Sequence, residues 1–400
     1  IKKETTQGSD WTIFDNFKLM YKGVDVTDLQ NALSALITTA YAIKEEKMGT
    51  AESAALNTAL DNADATVTNA DRLSEMISNL QSAYDAAVPS IDLYATVLPY
   101  ITKAEGVDAS IATTYRNQYD NGTITETAET VFQKLEVATY NYVTNNFAYP
   151  VPLSDTWNST GTNTHAATFS DEHWSGEARS YKNQHDGWGD PKQGYPANSW
   201  SIDFDQEVKL PAGEYVFKVA GRKSVDATLE LVVTKGGIEL GTVNDFPNGN
   251  AGLGINKAGA ASFDANDPAG FAIKYKDNGE VDRTGYGWQW RYVRFVLDEE
   301  ATVKVAVHAE TSKIYNWVSF GDYTLQMTEE TYLEANMDGL DAPTAAANSL
   351  VDTKPMGTAE NTALKDALDL PVTTGAELLT KIEALETAVA NANAWVTAYN

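Results

Sequence analysis

Between Thr27 and about Val143, apolar residues recur at the spacing of one helical face. Leu29, Leu33, Leu36, Ile37 and Ala40 form one such stripe. Leu73, Ile77, Leu80 and Tyr84 form a second, and Val131, Leu135, Ala138 and Tyr142 a third. Asp28 and Thr50 are the expected N-caps, the latter followed by Glu52 in a first turn. Pro89 and Pro99 are expected to punctuate the segment. This pattern predicts an antiparallel bundle of four or five helices, rich enough in alanine for close approach.

From about Asn146 to Met327 the period drops to two. Trp200, Ile202 and Phe204 alternate with polar neighbours, and so do Tyr215, Phe217 and Val219. Leu229, Leu231 and Val233 follow, then Phe271, Ile273 and Tyr275, and later Val303, Val305 and Val307. Pro211-Ala212-Gly213 and Asp277-Asn278-Gly279 are turn signals, and Asn248 to Gly259 is expected to be a long loop. Many antiparallel strands over this length predict a jelly-roll β-sandwich. Helical spacing returns at Glu329. The fold class is therefore multidomain α and β, an antiparallel jelly-roll sandwich flanked by antiparallel helical bundles.

Internal similarity sets the boundaries. Trp11, Phe14, Phe17 and Leu19 recur as Trp317, Phe320, Tyr323 and Leu325 with the same spacing. Met48-Gly49-Thr50-Ala51-Glu52 recurs as Met356-Gly357-Thr358-Ala359-Glu360, and Ala55, Leu56, Ala59 and Leu60 match Ala363, Leu364, Ala367 and Leu368. The repeating unit is about three hundred residues long. Residues 1–23 are then expected to be the terminal strand or strands of a preceding sandwich repeat, and 24–145 the helical bundle. Residues 146–328 form the sandwich, and 329–400 a second bundle that partly copies the first. A lone terminal strand exposes its edge, so self-association through the N-terminal strand is a further expectation.

Composition narrows the chemistry. The formal charge of −27 opposes binding to phosphate backbones and anionic headgroups, so neither nucleic acid nor direct membrane insertion is expected. The absence of cysteine removes disulfides, thiolate zinc sites and cysteine nucleophiles. Ile1-Lys2-Lys3-Glu4 carries no apolar signal region, so an exported protein would have its signal peptide outside this sequence. His165, His173 and His185 cluster, but their spacing fits no common metal motif. Asp264, Asn266 and Asp267, or Asp277, Asn278, Glu280 and Asp282, could supply a structural calcium, though turns use the same residues; no cofactor is assigned. No hydrolase, phosphate-loop or dinucleotide motif is present, and no pair of carboxylates stands out. The chain is accordingly expected not to be an enzyme.

Seven of the nine tryptophans fall in the sandwich segment, and sugar rings stack their C–H faces on aromatic planes. The expected glycan contacts are Trp174 and Trp188 in one stretch and Arg283, Tyr286, Trp288 and Trp290 in another. Trp288, Trp290, Tyr292 and Arg294 share one strand face, opposite Val293, Phe295 and Leu297, and would form an outward stripe. Tryptophan also plugs the ends of sandwiches, and a bulge would turn Trp288 or Trp290 inward. Trp200 and Trp317 are expected in the core.

Leu29 to Ala87 and Asp352 to Tyr399 resemble FIVAR-type helical modules, on the Met-Gly-Thr-Ala-Glu and Leu-x-x-Ala-Leu blocks. His165 to Leu325 resembles galactose-binding-like or carbohydrate-binding-module-like sandwiches. The cues are Leu210-Pro211-Ala212-Gly213-Glu214-Tyr215, Ala220-Gly221-Arg222 and Trp317-x-x-Phe320-x-Asp322-Tyr323-x-Leu325. The resemblance implies a bacterial multidomain surface or secreted protein, extracellular or at the cell surface, whose partner is a glycan or another surface protein. Two alternatives stay open: a structural or adhesive repeat assembled by strand complementation, and accessory domains of an enzyme whose catalytic domain lies elsewhere.

Overall fold

A computed structural model describes residues 25–154, 157–162, 185–188, 200–246, 289–311, 317–352 and 355–399. The chain divides into two compact units. One holds the described residues up to Leu98 together with Tyr115–Thr125, and the other holds Pro99–Thr114 and everything from Glu126 onward.

The first unit contains α1 (Thr27–Ile43), α2 (Thr50–Asp61), α3 (Ala70–Val107) up to Leu98, and α4 (Ala109–Asn121) from Tyr115. Leu33, Ala40, Leu56, Leu73, Leu80 and Ala87 close its core, the stripe that the helical spacing predicts. The fully buried Tyr94 hydroxyl accepts from the Ile124 amide at 2.9 Å.

Two expectations fail here. α3 runs unbroken through Pro89 and Pro99. Each proline removes one backbone donor, but the fully buried Tyr94, Val97 and Ile101 on the same stripe hold the helix together. Nor are Asp28 and Thr50 N-caps. Val26 and Gly49 hold those positions, and the Thr50 hydroxyl donates instead to the Asn121 carbonyl at 2.6 Å.

In the second unit, strands run from Tyr149 to Met327 and helices resume at Glu329. The first sheet has the order β1 (Tyr149–Val151), β10 (Trp317–Met327), β5 (Gly213–Lys223) and β8 (Gln289–Leu297). In it β3 (His185–Trp188) also pairs with β10. The second sheet has the order β2 (Asn158–Thr162), β4 (Trp200–Leu210), β9 (Ala301–Thr311), β6 (Thr228–Lys235) and β7 (Ile238–Val243). Every pairing is antiparallel.

The inner faces meet in one apolar core. Tyr215, Phe217, Val293, Phe295 and Phe320 come from the first sheet, and Phe204, Leu229, Leu231, Val303, Val305 and Val307 from the second. A register shift between Gly321 and Thr324 of β10 changes the inward set from Val318 and Phe320 to Leu325 and Met327. Trp157 belongs to this core, stacked on Phe204 at 4.4 Å. The side chains of Trp200 and Trp317, expected in the core, lie outside the described residues, as do the strand predicted at Phe271 and the Asn278-Gly279 turn.

Gly213 shows how tightly the turn between β4 and β5 meets the helix that follows the sandwich. Its φ is +147°, and an added Cβ would stand 2.2 Å from Thr331 Cγ2. The Glu214 amide donates to Thr331 Oγ1 at 2.8 Å. Gly213→Ala is expected to destabilise the second unit by about 1–3 kcal/mol, read as a lowered urea midpoint with unchanged slope.

The C-terminal helices are α6 (Glu329–Asn336), α7 (Asp341–Leu350), α8 (Thr358–Asp369) and α9 (Gly375–Tyr399). α2 and α8, which carry the matched Met-Gly-Thr-Ala-Glu blocks, are both twelve residues long. Their N-cap glycines share an extended backbone, with φ −62° and ψ 146° at Gly49 and φ −62° and ψ 151° at Gly357. α1 has no single counterpart, since α6, a 3-10 turn and α7 occupy Glu329–Leu350. Trp11 to Leu19, matched to β10, lies outside the described residues.

Candidate functional site

The outer faces of the two sheets differ sharply. On the second sheet the outward residues of β4, β6 and β9 are polar or small, apart from Val232. His308 Nδ1 lies 2.8 Å from Asp203 Oδ1, and Lys304 Nζ 3.7 Å from Asp205 Oδ1. Among the described residues this face carries no aromatic ring on which a sugar could stack.

On the first sheet, Trp290, Tyr292 and Arg294 do share the face opposite Val293, Phe295 and Leu297, but the face is not open. Val107, Phe132, Val143 and Phe147, from α3, α5 (Ala128–Asn146) and the turn after it, cover Trp290 and Tyr292 together with Val216 and Ala220 of β5. Trp290 is 2% exposed, and Lys218 Nζ sits 4.5 Å from its ring centroid. The expected contact of Trp290 with a glycan is therefore corrected. No bulge turns it inward; helices lie over it. The same packing explains why Pro99–Thr114 and α5 join the sandwich rather than the first bundle, which departs from a single helical unit over 24–145.

A polar clamp fixes these helices. Arg294 Nη1 donates to the Val107 carbonyl at 2.8 Å and to Asp108 Oδ2 at 2.6 Å, and its Nε pairs with Glu214. The Ser110 amide and hydroxyl donate to Asp108 Oδ1 at 2.9 and 2.5 Å, and the Tyr142 hydroxyl donates to Oδ2 at 2.8 Å. The Ser110 hydrogen bonds, then those from Arg294 and Tyr142, outweigh desolvation and hold the Asp108 carboxyl far below the ordinary carboxylate range. A depressed carboxyl stabilises the fold above its unfolded pKa, and that contribution is lost as pH falls through the folded value. Stability should thus decline below about pH 4. Asp108→Asn should flatten that decline, measured by urea midpoints between pH 6 and pH 2.5.

Beside the clamp lies a cavity of about 220 Å³ lined by residues of α3, α5, β7 and β8. Arg291 and Glu136 are 3% and 6% exposed. Lys103 Nζ donates to Glu136 Oε1 and lies 3.6 Å from Asp245 Oδ2, while Arg291 Nε lies 2.7 Å from Asp245 Oδ1. Desolvation, reinforced by Arg291, lowers the Lys103 pKa against the pull of Glu136 and Asp245. Burial works against ionisation of Asp245, but Arg291 and Lys103 overcome it and the carboxyl is held low. No motif or spacing in the sequence marks Lys103, Glu136, Asp245 and Arg291 as a group. The available signal was Glu136, a carboxylate at an apolar-stripe position among Phe132, Thr139 and Val143.

Several of the described strand ends gather at one end of the sandwich. Trp188 pairs with Trp317, Val318 with Lys223, and Gly221 with Gln289. In the second sheet, Thr162 pairs with Ser201 and Trp200 with Thr311. The short link from Lys223 to Thr228 puts these strand ends at a common end. Thr162, Trp188, Trp200, Gln289, Thr311 and Trp317, described residues that border undescribed parts of the sequence, are among them. Trp174, Arg283, Tyr286 and Trp288, the Trp188 side chain, His165, His173 and both calcium candidates lie outside the described residues. Among the described residues, no cluster of three or more His, Asp or Glu could hold a metal, and no helix is long and apolar enough to cross a membrane.

No family model matches the chain, and no curated protein matches it. Part of the chain is similar to several solved structures. The carbohydrate-binding module TmCBM61 in complex with β-1,4-galactotriose is 18% identical over 43% of this chain and 89% of that one, with a TM-score of 0.27. The adhesin domain of Epf from Streptococcus pyogenes is 14% identical over 46% and 64%, with a TM-score of 0.23. The C-terminal CBM6 of LamC from Zobellia galactanivorans is 9% identical over 42% and 100%, with a TM-score of 0.19.

Proposed function

We propose that the chain is a non-catalytic glycan-binding module of an extracellular bacterial protein, a jelly-roll sandwich carried on helical spacers. One observation supports the reading: the described strands that border the segments of Trp174 and of Arg283, Tyr286 and Trp288 in the sequence, β3 and β8, have their adjoining ends at the same end of the sandwich. His185 and Gln289 lie in one row of paired residues, through Phe320 and Gly221. They are three strand spacings apart, about 14 Å, a span suited to an extended ligand rather than a single ring. Aromatic planes supplied from beside both strand ends would stack on sugar faces, with Arg283 hydrogen-bonding to hydroxyls. A broad glycan array probed with the whole chain tests this. Binding that falls about tenfold or more in both Trp188→Ala and Trp288→Ala is expected. An array with no bound glycan while the chain is folded overturns it.

A second reading, a structural repeat assembled by strand addition, draws on β10. The strand whose sequence is matched by Trp11–Leu19 is flanked by β5 on one side and by β1 and β3 on the other. A segment of that pattern would pair readily with a second molecule. Concentration-dependent assembly lost on deleting residues 1–22 would support this reading, and an unchanged monomer would remove it.

A further inference from the structure

We propose that the cavity beside β8 binds one small neutral ring bearing adjacent hydroxyl groups, of the size of a single sugar or cyclic polyol. This site goes beyond the tryptophan-bearing end and does not depend on it.

The first argument is size. A volume of about 220 Å³ equals roughly seven waters, enough for one ring and too little for a chain of them. The second is charge. Lys103 and Arg291 are balanced by Glu136 and Asp245, so the walls carry no net charge to attract an ion. An anion would face Glu136 and a cation would face Arg291, each without compensation.

The third argument is the set of polar atoms left over. Glu136 Oε1 accepts from Lys103, but Oε2 stands 3.7 Å from Arg291 Nη1, beyond hydrogen-bond reach. Among the described residues no hydrogen bond reaches Oε2, on a side chain 6% exposed. Lys103 has donors to spare, because its separation of 3.6 Å from Asp245 is also too long. The Thr139 and Thr242 hydroxyls, by contrast, are already engaged with the Leu135 and Leu231 carbonyls. The vacant places thus comprise an acceptor next to donors. A hydroxyl group both donates and accepts, so a pair of adjacent hydroxyls bridges Glu136 to Lys103 and Arg291. The rings of Tyr100 and Phe132, 5.0 Å apart and tilted by 56°, offer the C–H faces of such a ring an apolar seat. Of the lining residues, Gly106 and Thr242 are exposed, so the cavity opens beside them.

Titration calorimetry and saturation-transfer NMR on the whole chain, with myo-inositol, D-galactose and D-glucose as probes, test the site. At least one is expected to bind with a Kd on the order of 1 mM. Gly106→Leu is the blocking variant. Gly106 lines the cavity from the last turns of α3, has no positive φ, and an added Cβ there meets nothing within 4 Å. Leucine is also the better helix former, so Tm should not fall while binding is lost. Tyr100→Phe, which removes only a hydroxyl from a residue lining the cavity, should weaken binding several-fold and carries the test if the leucine variant fails to fold. Trp188→Ala should leave this binding intact, which separates it from the array result. The proposal is overturned if no neutral probe binds, if Gly106→Leu binds as the parent does, or if acetate or methylammonium binds as tightly.

Discussion

Arg291→Met is expected to destabilise the sandwich unit by about 3–5 kcal/mol, among the largest single-site effects in the chain. The guanidinium is 3% exposed and serves several acceptors at once. Nη1 donates to the Trp290 carbonyl at 2.8 Å, Nη2 donates to the Asp245 carbonyl at 2.7 Å and to Gln289 Oε1, and Nε pairs with the Asp245 carboxylate. Methionine fills similar space but leaves those oxygens without a donor, and leaves the buried Glu136 with Lys103 alone. Arg291 thereby joins Asp245, just after β7, to Gln289, the first residue of β8. Hydrogen exchange should therefore show early opening of β8 and its partner β5, with α1 and α2 unaffected. Wild-type protection of β5 in Arg291→Met would show that the cluster stabilises little.

Trp290→Ala separates packing from recognition. Removing a ring that is 2% exposed beneath α5 should destabilise the same unit by about 3–5 kcal/mol, through lost burial and the cavity left behind. Glycan affinity per folded molecule should not change, because neither face of the ring is open. The two readouts are a lowered urea midpoint and an unchanged dissociation constant below that midpoint. A selective loss of glycan binding with stability retained would reverse the assignment of Trp290 to the interior.

The contrast at Trp290 shows where the sequence stops speaking. Alternation along β8 correctly separates Trp290 and Tyr292 from Val293 and Phe295, because a pleated strand sends neighbours to opposite faces. Whether the second face meets water depends on α5, about 150 residues upstream in the chain, and no local pattern encodes that contact. Two other misses have the same origin. Pro89 and Pro99 are breakers locally, yet the buried stripe of α3 passes through them. Thr50 has the chemistry of a cap, but Asn121 claims its hydroxyl. What periodicity dictates directly, namely the helical stripes and the inward rows of β5, β6 and β9, was legible because each element's buried face repeats within that element. The cavity was nearly invisible, since Lys103, Glu136 and Arg291 converge from three elements and only Glu136 interrupts an apolar stripe.

The junction between the sandwich and its helices has a mechanical consequence. The chain enters through β1 and leaves through β10, and these two are paired to each other in antiparallel fashion over three residues, Tyr149 opposite Met327 at the outer rung. Tension that draws the flanking helices apart would open this pairing like a zipper, one rung at a time, instead of shearing all three together. The hydrogen bond from the Tyr149 hydroxyl to Glu329 and the stacking of Tyr149 on Tyr332 at 4.3 Å lie at the very point where peeling begins. Under load, those two contacts act as the latch, and the force needed to pass them sets how far the joint stretches before the core of the sandwich feels any strain.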